Sequence, residues 1–136
     1  MHIFIIEDEQ LIRQELKILL ENALYRVTAP DTFESVTHIA EQILNTEPDL
    51  VLLDVNLPGV SSFDICTQIR QQMNLPIIFL TGRTSPMDEL NGLLKGGDDY
   101  ITKPYQAPVL LARIAAVLKR ARGTGSMETN LLSRGN

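Results

Sequence analysis

Residues 50–59, LVLLDVNLPG, place four consecutive apolar side chains before one carboxylate and a Pro-Gly turn. A short apolar run bounded by turn residues is typical of a strand buried on both faces, as in the parallel sheets of α/β proteins, although a buried helix segment gives the same pattern. Asp54 would then lie where the strand leaves the core. Because a partly desolvated carboxylate is costly without a cation, a hydrogen bond or a covalent partner, this stretch predicts a compensating group elsewhere in the chain.

The bulk composition is that of one globular domain. The chain has 136 residues, of which 44% are hydrophobic and 21% charged, enough for one core and unlike a disordered or fibrous protein. The formal net charge of -5 argues against binding of a nucleic-acid backbone by this domain, since such binding depends on clustered Lys and Arg. No signal peptide or membrane span is recognisable, and the single Cys66 excludes an internal disulfide and a cysteine-based zinc site. We therefore expect a cytoplasmic protein without membrane association.

Apolar periodicity predicts five strands that alternate with five helices. The strands are expected at 2–6, 25–29, 50–54, 77–80 and 100–102. The helices are expected from the acidic run 7–9 to about residue 20, and over 33–44, 63–69, 87–95 and 107–121. Such alternation implies a parallel sheet with right-handed crossovers and helices on both faces. Residues 123–136 are rich in Gly, Ser and Asn and predict a flexible linker or a tail added for expression, so that the domain would span 1–122.

Polar side chains collect at the carboxyl ends of the predicted strands, the edge where open parallel sheets carry their functional groups. Read from the strand ends, they are Glu7, Asp8, Asp54, Thr81 and Lys103. Each alone has an ordinary structural explanation as a helix cap or a turn residue. Their coincidence on one edge favours a site.

Three carboxylates on one edge predict a bound cation. Two carboxylates about 4 Å apart repel by about 4 kcal/mol at an effective dielectric constant of about 20. Oxygen ligands without Cys or His favour a hard ion, and Mg²⁺ suits a site that keeps several waters and uses carboxylate and phosphate oxygens. Mg²⁺ beside a nucleophilic Asp54, with Lys103 and Thr81 as donors, is suited to phosphoryl transfer onto a carboxylate.

Four segments together resemble the receiver domain of two-component response regulators. They are IFIIEDE at 3–9, LVLLDVNLPG at 50–59, IIFLTG at 77–82 and GGDDYITKP at 96–104. The resemblance covers residues 2 to about 121 in the right order and spacing. It implies a flavodoxin-like, doubly wound α/β fold whose five parallel strands follow the order 2-1-3-4-5. It also implies a signalling protein that is not an enzyme beyond catalysing its own phosphorylation and dephosphorylation.

The resemblance carries over to individual residues. Asp54 would accept a phosphoryl group from a sensor histidine kinase, and Lys103 would pair with that group. The implied Mg²⁺ ligands are Glu7, Asp8, Asp54 and the backbone carbonyl of Asn56. Thr81 would move toward the phosphoryl group while Tyr100 turns inward, which would change the surface formed by the fourth helix, the fifth strand and the fifth helix.

The segment 98–105 and the last helix look most like receivers attached to winged-helix DNA-binding domains. In that subgroup phosphorylation promotes a homodimer, and DNA is bound only through a domain that this chain lacks. The implied dimer surface consists of Asp98, Asp99, Arg113 and Arg120. Two departures, Glu89 and Val109, suggest that one ion pair between subunits is missing, and Gly82 leaves more room beside the phosphoryl group than the usual Ala.

Four alternative functions remain. A stand-alone receiver would lack the DNA-binding domain, and a pseudo-receiver would act as a binding module without phosphorylation. A phosphohydrolase with an Asp nucleophile usually has a second acid two residues later, where this chain has Asn56. A nucleotide or flavin binder would need a glycine-rich loop after the first strand, where the acidic run would repel phosphate.

Overall fold

Five parallel strands form one sheet in the order β2-β1-β3-β4-β5, which confirms the predicted doubly wound α/β fold. The computed structural model describes residues 1–82 and 96–130, with side chains as far as residue 121. The strands are β1 (His2–Ile6), β2 (Arg26–Thr28), β3 (Leu50–Asp54), β4 (Ile77–Thr81) and β5 (Asp99–Thr102). Helices of the described residues are α1 (Gln10–Asn22), α2 (Val36–Thr46), α3 (Ser62–Gln72) and α4 (Ala107–Asn130).

The central strand β3 is buried along its whole length, so residues 50–54 form a strand and not a buried helix segment. Alternate side chains of the sheet enter two apolar layers. Val51 and Leu53 pack with residues of α2 and α3, whereas Leu50 and Leu52 pack with residues of α1 and α4. Because each fully buried aliphatic side chain contributes about 1.5–3 kcal/mol relative to an exposed one, β3 is a rigid mount for Asp54 at its end.

Several element boundaries differ from the prediction. The acidic run does not open the first helix: Glu9 has an extended backbone and α1 begins at Gln10, so the acids lie in the loop between β1 and α1. The second helix begins at Val36 and not at residue 33, since the Ser35 hydroxyl accepts the His38 amide hydrogen and caps it. Strand β2 is shorter than predicted, and β4 extends through Thr81.

The last helix is longer than predicted. Helix α4 continues to Asn130, beyond the predicted end at residue 121. Glycine costs a helix about 1 kcal/mol relative to alanine but keeps its amide donor, so an established helix can continue through Gly123 and Gly125. The predicted fourth helix, at 87–95, and Glu89 lie outside the described residues. Within the described part, no helix combines the length and the apolarity needed to cross a bilayer.

Candidate functional site

The strand ends bring the predicted polar residues to one edge of the sheet. Asp54 and Thr81 are the last residues of the neighbouring strands β3 and β4, and Glu7 and Asp8 follow β1 directly. Lys103 follows β5, and its amide donates to the Thr81 carbonyl at 2.5 Å. Asp54 and Glu7 are buried, whereas the adjacent Asp8 is exposed. Two of the three acids therefore lie inside the protein surface and one faces solvent.

Asp54 is held by the backbone turn that follows it. The Asn56 amide donates to Asp54 Oδ1 at 3.0 Å, and Lys103 Nζ lies 3.4 Å from Asp54 Oδ2. The buried Ser62 hydroxyl donates to the Asp54 carbonyl, which ties the end of β3 to the start of α3. The intervening turn contains Gly59 at φ +76°, a conformation that a side chain would strain. These contacts fix the carboxylate of Asp54 at the mouth of the site.

Glu7 and Lys103 form the shortest ion pair of the site, with 2.6 Å between Glu7 Oε1 and Lys103 Nζ. The other Glu7 oxygen accepts the Glu9 amide hydrogen at 3.1 Å. The pKa of Glu7 is raised to about 7: burial is the largest cause and the nearby Asp54 adds to it, against the lowering effects of Lys103 and the Glu9 amide. Burial alone would lower the pKa of Lys103, but hydrogen bonding to Glu7 and the charge of Asp54 outweigh it and raise that pKa. Lys103 is thus the counter-cation of two buried carboxylates.

The three acids fit a hard divalent cation. Glu7, Asp8 and Asp54 each offer a carboxylate oxygen, and these oxygens all lie within 4.8 Å of one another. Asp8 and Asp54 line an open cleft of about 270 Å³, whose other lining residues are Glu9, Ile12, Asn56, Gly82 and Lys103. An all-oxygen donor set that lines an open cleft matches the preference of Mg²⁺ for carboxylates and retained waters. The residues present therefore fit the metal predicted from the sequence.

The two predicted switch residues lie inside the protein. Thr81 is fully buried and does not line the cleft, although the next residue, Gly82, does. A Cβ atom added to Gly82 would meet no described atom within 4 Å, so the cleft is open at this point. Tyr100 is only 8% exposed, and its ring centroid lies 6.4 Å from that of Phe79 on the adjacent strand. In this structure Tyr100 already points inward.

The residues predicted for a dimer surface have partners within the chain. Asp98 pairs with Arg70 of α3 at 2.5 Å and also accepts the Ile77 amide hydrogen at 2.8 Å. Asp99 pairs with Arg113 at 3.1 Å, and Arg120 reaches the Asp98 carbonyl at 3.5 Å. Asp98 therefore links α3 to the start of β5. The resemblance to receivers with winged-helix domains, which placed Asp98 on the dimer surface, did not suggest this contact within the chain.

Sequence reasoning missed two buried polar residues near the site, Arg13 and Ser62. Arg13 is 9% exposed and lies on the buried face of α1 with Leu16 and Leu20, whereas the apolar Leu11 is 77% exposed. A basic residue spaced three and seven positions before two core leucines was the available signal for Arg13. Ser62 gave none, because the neighbouring Ser61 is the actual cap of α3 and the two are indistinguishable by type.

Known proteins are similar to this chain in sequence. A family model described as the response regulator receiver domain matches residues 3–115. The response regulator protein GraR of Staphylococcus haemolyticus is 39% identical over 133 residues, which are 98% of this chain and 58% of that protein. The transcriptional regulatory protein AfsQ1 of Streptomyces coelicolor is 44% identical over 119 residues, 87% of this chain and 51% of that protein. The chain thus spans little more than half the length of these relatives.

Solved structures of response regulator domains superpose on this chain. The BeF3-activated N-terminal receiver domain of Klebsiella pneumoniae RstA superposes with a TM-score of 0.80 at 32% identity, covering 88% of this chain and 99% of that one. The N-terminal domain of the nisin resistance regulator NsrR gives a TM-score of 0.76 at 34% identity, covering 86% and 97%.

Proposed function

The chain belongs to the response regulator receiver domain family, and from this premise we propose that it is a phosphorylation-activated switch of a bacterial two-component system. Members of this family are signalling proteins, and the proposed event is transfer of a phosphoryl group from a sensor histidine kinase to Asp54. The observation that carries the proposal is the placement of Asp54: it is buried at a strand end, beside two further carboxylates and one lysine.

Transfer would make a bond between an Asp54 carboxylate oxygen and phosphorus as the phosphorus–nitrogen bond of phosphohistidine breaks. The histidine nitrogen keeps the electron pair of that bond, and the ionised carboxylate has no proton to lose. Glu7, Asp8, Asp54 and the Asn56 carbonyl would hold Mg²⁺, which when bound neutralises charge on the transferred group. The Asn56 amide orients Asp54, and Lys103 would pair with the phosphoryl oxygens. The same residues would support the slower loss of the group to water.

The output would follow from the charge that Asp54 gains. A phosphoryl group adds about -1.5 to -2 charge and new acceptor oxygens at neutral pH. Thr81 is the last residue of β4, the strand beside β3. Phe79, two residues before Thr81 on the same strand, pairs in register with Tyr100 of β5. A shift of β4 toward Asp54 would therefore be passed directly to β5. We assign the switch to Thr81 and Tyr100. The surface that changes would be formed by β5, by α4, which is the predicted fifth helix, and by the predicted fourth helix, which precedes β5 in the sequence.

A phosphorylation assay tests this function. The wild-type chain should gain one phosphoryl group from acetyl phosphate in the presence of Mg²⁺, because the small donor needs only Asp54 and the cation. Intact-mass spectrometry would measure the gain. Replacing Mg²⁺ with EDTA should prevent it, since three carboxylates without the cation repel a phosphate donor. Absence of labelling at any Mg²⁺ concentration would favour the pseudo-receiver alternative.

The names of the relatives support a transcriptional output. Among them is a transcriptional regulatory protein, and this chain corresponds to about half of its length. We therefore propose that residues 1–122 are the receiver domain of a cytoplasmic transcription factor whose DNA-binding domain is not in the sequence. The full-length gene decides this: a winged helix after residue 136 means a transcription factor, and a stop codon means a stand-alone receiver.

Phosphorylation should also promote a homodimer through β5 and α4. Beryllofluoride, which mimics the phosphoryl group, is expected with Mg²⁺ to shift the chain from monomer to dimer in sedimentation velocity. Arg120→Ala should weaken the dimer because it removes an exposed guanidinium that would pair with an acidic residue of the second subunit. The control is Arg26→Ala, at an exposed position of the opposite edge strand β2. An unchanged monomer with and without beryllofluoride would refute dimerisation.

A further inference from the structure

Arg13 is a buried cation without a carboxylate partner in the described part of the chain. It is 9% exposed, and no described carboxylate oxygen lies within 4.0 Å of its guanidinium. A buried guanidinium stays charged and needs hydrogen-bond acceptors. Its acceptors are backbone carbonyls: Nη1 donates to the Glu7 carbonyl at 2.9 Å and makes a longer contact of 3.4 Å with the Asp8 carbonyl.

The main chain of Arg13 completes the same pattern. Its amide donates to the Glu9 carbonyl at 2.9 Å, in the first turn of α1. One residue therefore engages the carbonyls of three consecutive residues, 7, 8 and 9, which are the acidic loop that follows β1. Side-chain contacts leave part of this loop unsupported: Glu7 is held by Lys103 and the Glu9 amide, but the exposed Asp8 makes no side-chain hydrogen bond to a described residue. The direction of the Asp8 carboxylate therefore depends on the peptide planes on either side of it.

We propose that Arg13 is a positioning residue for the metal site, which orients the carboxylates of Glu7 and Asp8 by holding the backbone of the acidic loop. The inference rests on the proposed function, because it concerns the same Mg²⁺ site. It extends that function to a residue of α1 that does not line the cleft and touches none of the carboxylates. Partners that orient metal ligands from behind commonly change metal affinity about 10-fold to 100-fold when they are removed.

The positive charge of Arg13 and its proposed positioning role predict opposite effects of a substitution on Mg²⁺ affinity. Removing a nearby positive charge would by itself strengthen the binding of a cation to the three acids. Removing the residue that orients Asp8 would weaken it. Arg13→Met keeps most of the side-chain volume and removes both the charge and the hydrogen bonds, so the direction of the change in Mg²⁺ affinity separates the two effects. Arg13→Lys keeps the charge but replaces the planar guanidinium, whose Nη1 contacts both carbonyls, with an ammonium group on a shorter and more flexible side chain.

Isothermal titration of the purified chain with MgCl₂ is the test, and it requires no phosphoryl donor. Arg13→Met should raise the dissociation constant for Mg²⁺ about tenfold or more, and Arg13→Lys should raise it by a smaller factor. Arg70→Met is the matched control, because Arg70 also donates to a backbone carbonyl, that of Gly96, but contacts none of Glu7, Asp8 and Asp54. It should leave Mg²⁺ affinity within twofold of the wild type.

Each outcome decides the proposal. Unchanged or tighter Mg²⁺ binding by folded Arg13→Met would overturn it and leave Arg13 as an anchor of α1 only. If Arg13→Met does not fold, wild-type affinity in Arg13→Lys would overturn it equally. A wild-type chain that binds no Mg²⁺ would refute the proposed metal site itself, and the inference with it, so the two failures are distinguishable by the wild-type titration alone.

Discussion

Asp54→Asn is expected to abolish phosphorylation of the chain by acetyl phosphate with Mg²⁺. The amide lacks the ionised oxygen that attacks phosphorus, and it removes one of the three carboxylates of the metal site. Its carbonyl oxygen can still accept the Asn56 amide hydrogen, which Asp54 Oδ1 now accepts at 3.0 Å, so the turn after β3 should persist. Intact-mass spectrometry should show the added phosphoryl group on the wild type and none on the variant.

The fold of Asp54→Asn should be at least as stable as the wild type in EDTA. Asp54 raises the pKa of the buried Glu7, which means that the two carboxylates repel each other in the absence of the cation. Urea unfolding would measure the difference. Asp64→Asn is the matched control: Asp64 is an exposed acid in the first turn of α3, and its loss should leave phosphorylation intact. Labelling of Asp54→Asn at the wild-type stoichiometry would refute Asp54 as the acceptor.

Periodicity was sufficient to predict the strands because their sequence signal is strong. Strands of a parallel sheet covered on both faces are continuous apolar runs, and β3 and β4 are buried at every position. The strand order has no such local signal and followed only from the resemblance to receivers. The predicted strand ends were wrong where backbone hydrogen bonds, and not side-chain type, decide them. Thr81 and Asp99 are polar residues that nonetheless belong to the paired strands β4 and β5.

The strand ends predicted which residues share the site but not their environments. Glu7 and Asp8 are adjacent acids that look equivalent in the sequence, yet one is fully buried against Lys103 and the other faces solvent. Successive side chains of an extended segment point in opposite directions, and the pattern alone does not reveal which of them turns inward. The burial of Glu7 is what raises its pKa, so this property of the site required the structure.

Long-range polar contacts were the other feature beyond the reach of the sequence. Asp98 was assigned to a dimer surface by resemblance, but it bonds Arg70, 28 residues earlier, and the amide of Ile77. Each of these residues is unremarkable in its own segment: Arg70 reads as a basic residue in the last turn of a helix, where the helix dipole favours a cation. Only the packing of α3 beside the start of β5 brings the pair together.

Lys103→Met is expected to destabilise the metal-free chain and to strengthen its binding of Mg²⁺. The lysine is the only cation within 4.0 Å of Glu7 and Asp54 among the described residues, at 2.6 Å and 3.4 Å. Leaving a buried charge without its partner costs about 3–5 kcal/mol, and Glu7 can escape part of this by taking up a proton, so we expect a loss of about 2–3 kcal/mol. Urea unfolding in EDTA at a pH above the Glu7 pKa would measure it.

Added Mg²⁺ should restore more stability to Lys103→Met than it adds to the wild type, because the ammonium group and the metal compete for the same carboxylate oxygens. The gain at each concentration follows from the dissociation constant for a ligand that binds only the folded chain.

Lys17→Met is the control: Lys17 pairs with Glu21 at 3.5 Å with both side chains about half exposed, and its loss should change stability by less than about 1 kcal/mol. Wild-type stability of Lys103→Met in EDTA would show that the buried acids need no counter-cation. Opposite changes in Mg²⁺ affinity for Lys103→Met and Arg13→Met would separate a cation that competes with the metal from one that positions its ligands.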